Sequence, residues 1–184
     1  STHFRGIAPK GSALIGAFAC LVATAQTIWP DVLAQDYQRY VAVWAGFTIA
    51  SAVTVAIEGV ALSRSVNWAL TDPLVDAALR QILPFAAAGV VITAAICKFS
   101  PASAWLLPGL WQILVGLTGF ATSSSLPRGI VWAAGWYFLC GSIVLALGGS
   151  SGALSPWMMG FPFAIGQCIV ALILHTSGAR DDRS

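Results

Sequence analysis

The sequence predicts an all-α fold in which residues 1–184 form a single transmembrane domain, a bundle of six helices with both termini in the cytoplasm. Composition is the first reason: 58% of the residues are hydrophobic and only 9% are charged, whereas a soluble domain carries about 25% charged residues. A chain of this size could not bury so much apolar surface in water, so we expect membrane lipids to surround it. The net charge of +2 is too small to indicate a nucleic-acid partner.

Six apolar stretches are the second reason, because a helix needs about 20 apolar residues to cross a bilayer. The predicted spans are residues 12–29, 41–62, 81–99, 104–125, 129–148 and 157–176. The connections between them are short, and the longest is 63–80, so we expect no separate soluble domain. Function is therefore expected inside the bundle, at its two ends or on its lipid-facing side.

The distribution of Lys and Arg is the third reason, since the cytoplasmic loops of membrane proteins are enriched in both. Six spans put the termini and the connections 63–80 and 126–128 on one side of the membrane. That side collects Arg5, Lys10, Arg64, Arg80, Arg128, Arg180 and Arg183. The other side has Arg39 and Lys98, so we place both termini in the cytoplasm. The short connections 100–103 and 126–128 also predict that the third, fourth and fifth spans are antiparallel neighbours.

The second span contains Glu58, the one acidic residue inside a predicted span. Thr54 lies one helical turn before it and extends the polar strip. Intramembrane carboxyl groups generally face the bundle interior or a wet cavity. We expect a hydrogen-bonded Glu58 that supports helix packing, and the alternative is a proton, cation or ligand site. Gln167 lies at a similar depth in the sixth span, so the side chains of Glu58 and Gln167 are predicted to face the same interior volume.

The fourth span has a face of small residues around a glutamine. Its members are Gly109, Gln112, Gly116 and Gly119, at intervals of three, four and three residues. Small residues let a second helix approach closely, and a glutamine can bond across such a contact. The pattern predicts tight helix packing, and the same face is a candidate interface with a membrane-protein partner or a second copy of the chain. A substrate groove lined by Gln112 and Gln167 is the functional alternative.

The fifth span begins beside Arg128 and carries Trp132 and Trp136, four residues apart. We expect an ordinary belt of interfacial aromatic residues. The alternative is a site in which the arginine and the two indoles hold a lipid headgroup or an aromatic ligand.

The cysteines and histidines indicate no cofactor or metal site. The four cysteines, Cys20, Cys97, Cys140 and Cys168, fall in four different spans without a CxxC pair. His3 and His175 are too few for a bis-histidine haem or a histidine-rich metal site. We therefore expect neither catalytic residues nor a cofactor.

Three functions fit these observations, and the first is favoured. It is a non-enzymatic accessory or structural subunit that packs against a membrane partner, expected in a bacterial inner (plasma) membrane. The second is a small transporter or channel that uses Glu58 as a proton, cation or ligand site. The third, an intramembrane enzyme acting on lipid or quinone, would need an acid, base or metal cluster that the sequence does not present.

Overall fold

The computed structural model describes residues 4–33, 36–65, 71–123, 129–148 and 154–181. Within these ranges, side-chain surroundings are described except at residues 4–10, 55–79, 81 and 177–181. In this part of the chain all regular elements are helical. They are α1 (Phe4–Ile28), α2 (Pro30–Leu33), α3 (Tyr37–Ser65), α4 (Thr71–Phe99), a 3-10 helix (Pro101–Leu106), α5 (Leu107–Thr122), α6 (Ile130–Gly148) and α7 (Trp157–Asp181).

Five stretches are long and apolar enough to cross a membrane. They are Gly11–Ile28, Ile82–Phe99, Pro101–Thr122, Ile130–Gly148 and Trp157–Thr176. Over the described residues the predicted all-helical fold is confirmed, and these five stretches are compatible with a membrane protein. The remaining predicted span, 41–62, lies within α3, a helix of 29 residues. The count of six spans and the orientation of the termini stay predictions.

The long helices pack in a row whose order is α3, α1, α7, α6, α5, α4. The contacts of α1 with α7 and of α5 with α6 are by far the most extensive. Contact between α6 and α7 joins these two pairs, while α3 adds to α1 and α4 adds to α5. The predicted neighbours α4, α5 and α6 are confirmed, and α7 is placed between the first helix and this group.

The α5–α6 pair is held together by glycines that bring the two backbones into contact. A Cβ atom added to Gly116 would lie 2.9 Å from both the Ala134 carbonyl oxygen and the Phe138 nitrogen. A Cβ atom added to Gly141 would lie 2.6 Å from the Gly109 carbonyl oxygen. Such distances are too short for any side chain, so glycine is what permits this helix spacing.

The α1–α7 pair also packs through small residues. Ala19 and Ala23 of α1 are fully buried, and a Cβ atom added to Gly160 of α7 would lie 2.5 Å from the Ala23 Cβ. Beside this pair lies an aromatic cluster, formed by Tyr40, Trp44 and Phe47 of α3, Tyr137 of α6 and Phe163 of α7. These residues form the main buried core of the described chain.

The two helices at the ends of the row are covered least. None of the residues Ile82–Phe99 of α4 is buried within the chain. On α3, Ile49 and Val53 are 65% and 51% exposed. The exposed apolar residues described on these two helices are therefore suited to contact with lipid or another protein.

Candidate functional site

Several polar side chains bond between helices near the first half of α7. The clearest is Gln112 of α5, which is fully buried and donates from Nε2 to the Met158 carbonyl oxygen at 2.6 Å. That carbonyl lacks its regular helical donor, because the residue four positions later is Pro162, which has no N–H. Gln112 therefore supplies the hydrogen bond that the proline removes.

Two further bonds tie α6 to α7 in the same region. Trp136 donates from Nε1 to the Pro162 carbonyl oxygen at 3.0 Å. Gln167 donates from Nε2 to the Tyr137 hydroxyl oxygen at 3.3 Å. The two glutamines thus bond to different helices, and the substrate groove between them stays a prediction.

Gln26 is a buried polar residue that sequence reasoning missed. It is 1% exposed and donates from Nε2 to the Leu33 carbonyl oxygen at 3.1 Å, which ties the end of α1 to α2. Its position near the end of the predicted span 12–29 does not by itself distinguish it from an ordinary interfacial residue. The signal that could have found it is the turn at Pro30, whose fold-back leaves nearby carbonyl groups in need of a donor.

Four buried polar atoms have no hydrogen-bond partner among the described residues. They are Gln26 Oε1, Gln112 Oε1, Trp44 Nε1 and Ser51 Oγ. A buried polar atom without a partner lowers stability, and it keeps the capacity to bond a water molecule or a polar ligand group. Trp44 and Ser51 place two such atoms on α3, the helix that also carries Glu58.

The predicted site around Glu58 is described only in part. The backbone of Glu58 belongs to α3, and its side chain lies outside the described residues, so its proximity to Gln167 stays a prediction. Thr54 donates from its hydroxyl group to the Ala50 carbonyl oxygen of its own helix at 2.9 Å. The Thr54 proton is thus used within α3.

The predicted site at the start of the fifth span separates into two different environments. Arg128 lies outside the described residues. Trp132 is 79% exposed, as expected of a lipid-facing aromatic residue, while Trp136 bonds to α7. A ligand site formed by Arg128 and the two indoles stays a prediction.

The face formed by Gly109, Gly116 and Gly119 lies against α6 of the same chain. A Cβ atom on Gly109 would lie 2.7 Å from Leu145 Cγ, and one on Gly119 would lie 2.8 Å from Ala134 Cβ. The predicted tight packing is confirmed for this face. The α6 helix of the same chain occupies this face in the structure, and the predicted interface with a partner or a second copy stays a prediction.

Titratable side chains do not form a metal-binding cluster in the described ranges. No three His, Cys, Asp or Glu residues there are close enough to hold a metal ion. The four cysteines are all free, and Cys168 is exposed.

Fold and site define an all-helical protein with five membrane-compatible helices and a core braced by buried amide and indole groups. The chain matches no protein family model, no curated protein and no solved structure.

Proposed function

We propose that this chain is a non-enzymatic accessory subunit that packs against a membrane-protein partner through α3. The observation that carries the proposal is a row of small residues on the uncovered side of that helix. Ala42, Gly46 and Ala50 follow at intervals of four, and none of the three is buried within the chain. No atom lies within 4 Å of a Cβ atom built on Gly46. Small residues at this spacing let two membrane helices approach closely.

The other small-residue faces of the chain support this interpretation. Gly116 of α5 lies against α6, and Gly160 of α7 lies against α1. Lipid tails need no small residues to pack against a helix, whereas a neighbouring helix does. The small residues on α3 resemble those of these two faces, and α3 itself lies at one end of the row of helices.

The hydrogen bonds of two glutamines are compatible with a packing role as well. Gln112 is 0% exposed and bonds to the backbone of α7, and Gln167 bonds to Tyr137. Both amides are therefore used in contacts between helices.

The test compares two glycine variants by native mass spectrometry after mild extraction from the source membrane. Gly46→Leu fills the open face of α3. Gly135→Leu is the matched control, because Gly135 of α6 also has no atom within 4 Å of a built Cβ. We expect a stoichiometric partner with the wild type and with Gly135→Leu, and its loss with Gly46→Leu. A wild type that carries only lipid, or a partner retained by Gly46→Leu, would contradict the proposal.

A small transporter or channel is the second candidate, and a feature of α3 favours it. Trp44 and Ser51, seven residues apart, each have a buried polar atom without a partner among the described residues. Glu58 follows after another seven residues. Seven residues are about two helical turns, so these positions follow one side of α3. A strip of this kind could pass protons or cations along the helix.

Proton and cation flux into proteoliposomes distinguishes the two candidates. If the strip carries ions, Glu58→Gln abolishes the flux. Asp36→Asn keeps it, because Asp36 is exposed before the start of α3 and caps the Arg39 amide. Flux that is absent from the wild type, or unchanged in Glu58→Gln, leaves the accessory subunit as the function to pursue.

A further inference from the structure

The position of α7 makes its conformation important for the whole row. This helix contacts α1 on one side and α6 on the other, with a smaller contact to α5. A change in the shape of α7 therefore alters the position of α1 relative to the α5–α6 pair.

Pro162 interrupts the hydrogen-bond ladder of α7. Because proline has no N–H, the Met158 carbonyl loses its regular donor, and the proline ring also crowds the carbonyl four residues earlier. Prolines and nearby glycines are the usual places where helices bend. Gly160 and Gly166 stand two residues before and four residues after Pro162. The chain thus places a bendable segment in its central helix.

Side chains from two other helices bond to the carbonyl groups at this segment. Gln112 of α5 donates to Met158 at 2.6 Å, and Trp136 of α6 donates to Pro162 at 3.0 Å. The bonds have different roles. The Met158 carbonyl lacks its regular helical donor, whereas the Pro162 carbonyl still has the Gly166 N–H four residues later in a continuous helix.

The burial of Gln112 in an apolar interior is unfavourable, which indicates that its amide N–H is the group needed at this position. Its Oε1 atom is buried without a partner in the described chain, which is unfavourable in an apolar interior. An apolar side chain of similar size would avoid that cost, but it would leave the Met158 carbonyl unbonded.

From these contacts we propose that α7 can bend at Pro162. The hydrogen bond from Gln112, and secondarily the one from Trp136, holds the helix in its present conformation. When the hydrogen bond from Gln112 to the Met158 carbonyl breaks, residues 157–161 tilt relative to the rest of α7. These residues include Gly160, which packs on Ala23 of α1. Tilting therefore loosens the contact between α7 and α1. This inference is independent of whether the protein is an accessory subunit or a transporter.

The first test is a double-mutant cycle of Gln112→Leu and Pro162→Ala, measured by reversible unfolding in bicelles. Pro162→Ala gives the Met158 carbonyl a helical donor, so Gln112 becomes dispensable. Interhelical hydrogen bonds in membranes correspond to a change of about 3-fold to 20-fold in the folding equilibrium constant. We expect a loss in that range for Gln112→Leu when Pro162 is present, and a loss of less than about 2-fold in the background of Pro162→Ala.

Gln167→Leu is the matched control for the cycle. It also removes an interhelical amide bond, to the Tyr137 hydroxyl, but that bond does not depend on the proline. Its effect should be the same with Pro162 and in the Pro162→Ala variant. If Gln112→Leu lowers the folding equilibrium constant equally with and without Pro162, the amide does not replace the missing helical donor. That result would overturn the proposal.

The second test measures the motion itself by hydrogen exchange in lipid nanodiscs. In Gln112→Leu we expect the amides of Met158–Phe161 to exchange about 3-fold faster or more, while those of 163–176 change little. Trp136→Phe should give a smaller rise, and Gln112→Leu with Pro162→Ala should give none. If the exchange rate does not rise in Gln112→Leu, or if it rises evenly over α7, the proposed bend point is wrong.

Discussion

The α5–α6 contact and the aromatic cluster hold helices together in opposite ways. At the α5–α6 contact, backbone meets backbone, as at Gly141, where a Cβ atom would lie 2.6 Å from the Gly109 carbonyl oxygen. In the aromatic cluster, large rings fill the space between helices. The Phe47 ring centroid lies 5.3 Å from that of Trp44 and 5.6 Å from that of Phe163.

This difference determines how each region responds to change. Membrane helices gain little from hiding apolar surface, since lipid is equally apolar, so both regions depend on close packing. A backbone contact cannot yield to an added carbon without separating the helices. A cluster of rings that loses one member can repack or admit a lipid chain. The glycine contact should therefore be the more sensitive of the two.

Adding a side chain at the glycine contact should have the largest effect. Gly141→Val places its Cβ against the Gly109 oxygen and 2.9 Å from the Ile113 nitrogen, and backbone atoms cannot move aside. We expect a loss of about 3 kcal/mol in the free energy of unfolding, measured in bicelles. Gly135→Val in the same helix is the control, because its Cβ meets no atom within 4 Å, and it should change stability by less than about 0.5 kcal/mol. Equal losses would show that backbone proximity is not what makes α6 sensitive.

Removing a ring from the aromatic cluster should have an intermediate effect. Trp44 is 0% exposed, and its Nε1 has no partner in the described chain, so Trp44→Ala removes packing without breaking a hydrogen bond of that side chain. We expect a loss of about 2 kcal/mol, below the roughly 3–5 kcal/mol typical of soluble cores, because lipid can fill part of the gap. Trp132→Ala removes the same side chain from a lipid-facing position that is 79% exposed, and it should be nearly neutral. A loss for Trp44→Ala larger than that of Gly141→Val would reverse the proposed ranking.

Removing one hydroxyl group from the aromatic cluster should have the smallest effect. Tyr137→Phe removes the acceptor of Gln167 but keeps the ring, which packs 5.2 Å from the Phe163 ring. We expect a loss of about 0.6 kcal/mol, the average for interhelical hydrogen bonds in membranes. In the background of Gln167→Leu the same substitution should have no effect. A loss that persists there would assign the role of Tyr137 to its ring position and not to the bond with Gln167.

The glycine contact could be predicted from sequence, and the aromatic cluster could not. Gly109, Gly116 and Gly119 recur at helical intervals, and that local spacing already implies a close neighbour. The neighbour was harder to predict, since α6 covers a face that was also suited to a partner. The rings of Phe47 and Phe163 come from helices far apart in the chain, and each alone looks like an ordinary lipid-facing residue.

The buried amides show the same limit. Gln112 stood out as a polar residue on a glycine face, yet its acceptor, Met158, is a backbone group that sequence patterns do not mark. Counting four residues back from Pro162 would have identified that carbonyl as lacking a donor. The helix that supplies the missing donor depends on which helices are neighbours.

The sequence by itself determined which helices are long and apolar enough to cross a membrane. The predicted spans 129–148 and 157–176 match the apolar stretches Ile130–Gly148 and Trp157–Thr176 within one residue. This success has a physical reason, because the cost of placing polar groups in lipid depends on local composition. Only the tertiary structure placed α7 between α1 and α6. Apolar helix faces are nearly equivalent toward lipid, so the order of the row depends on shape, backbone proximity and a few hydrogen bonds between residues distant in the chain.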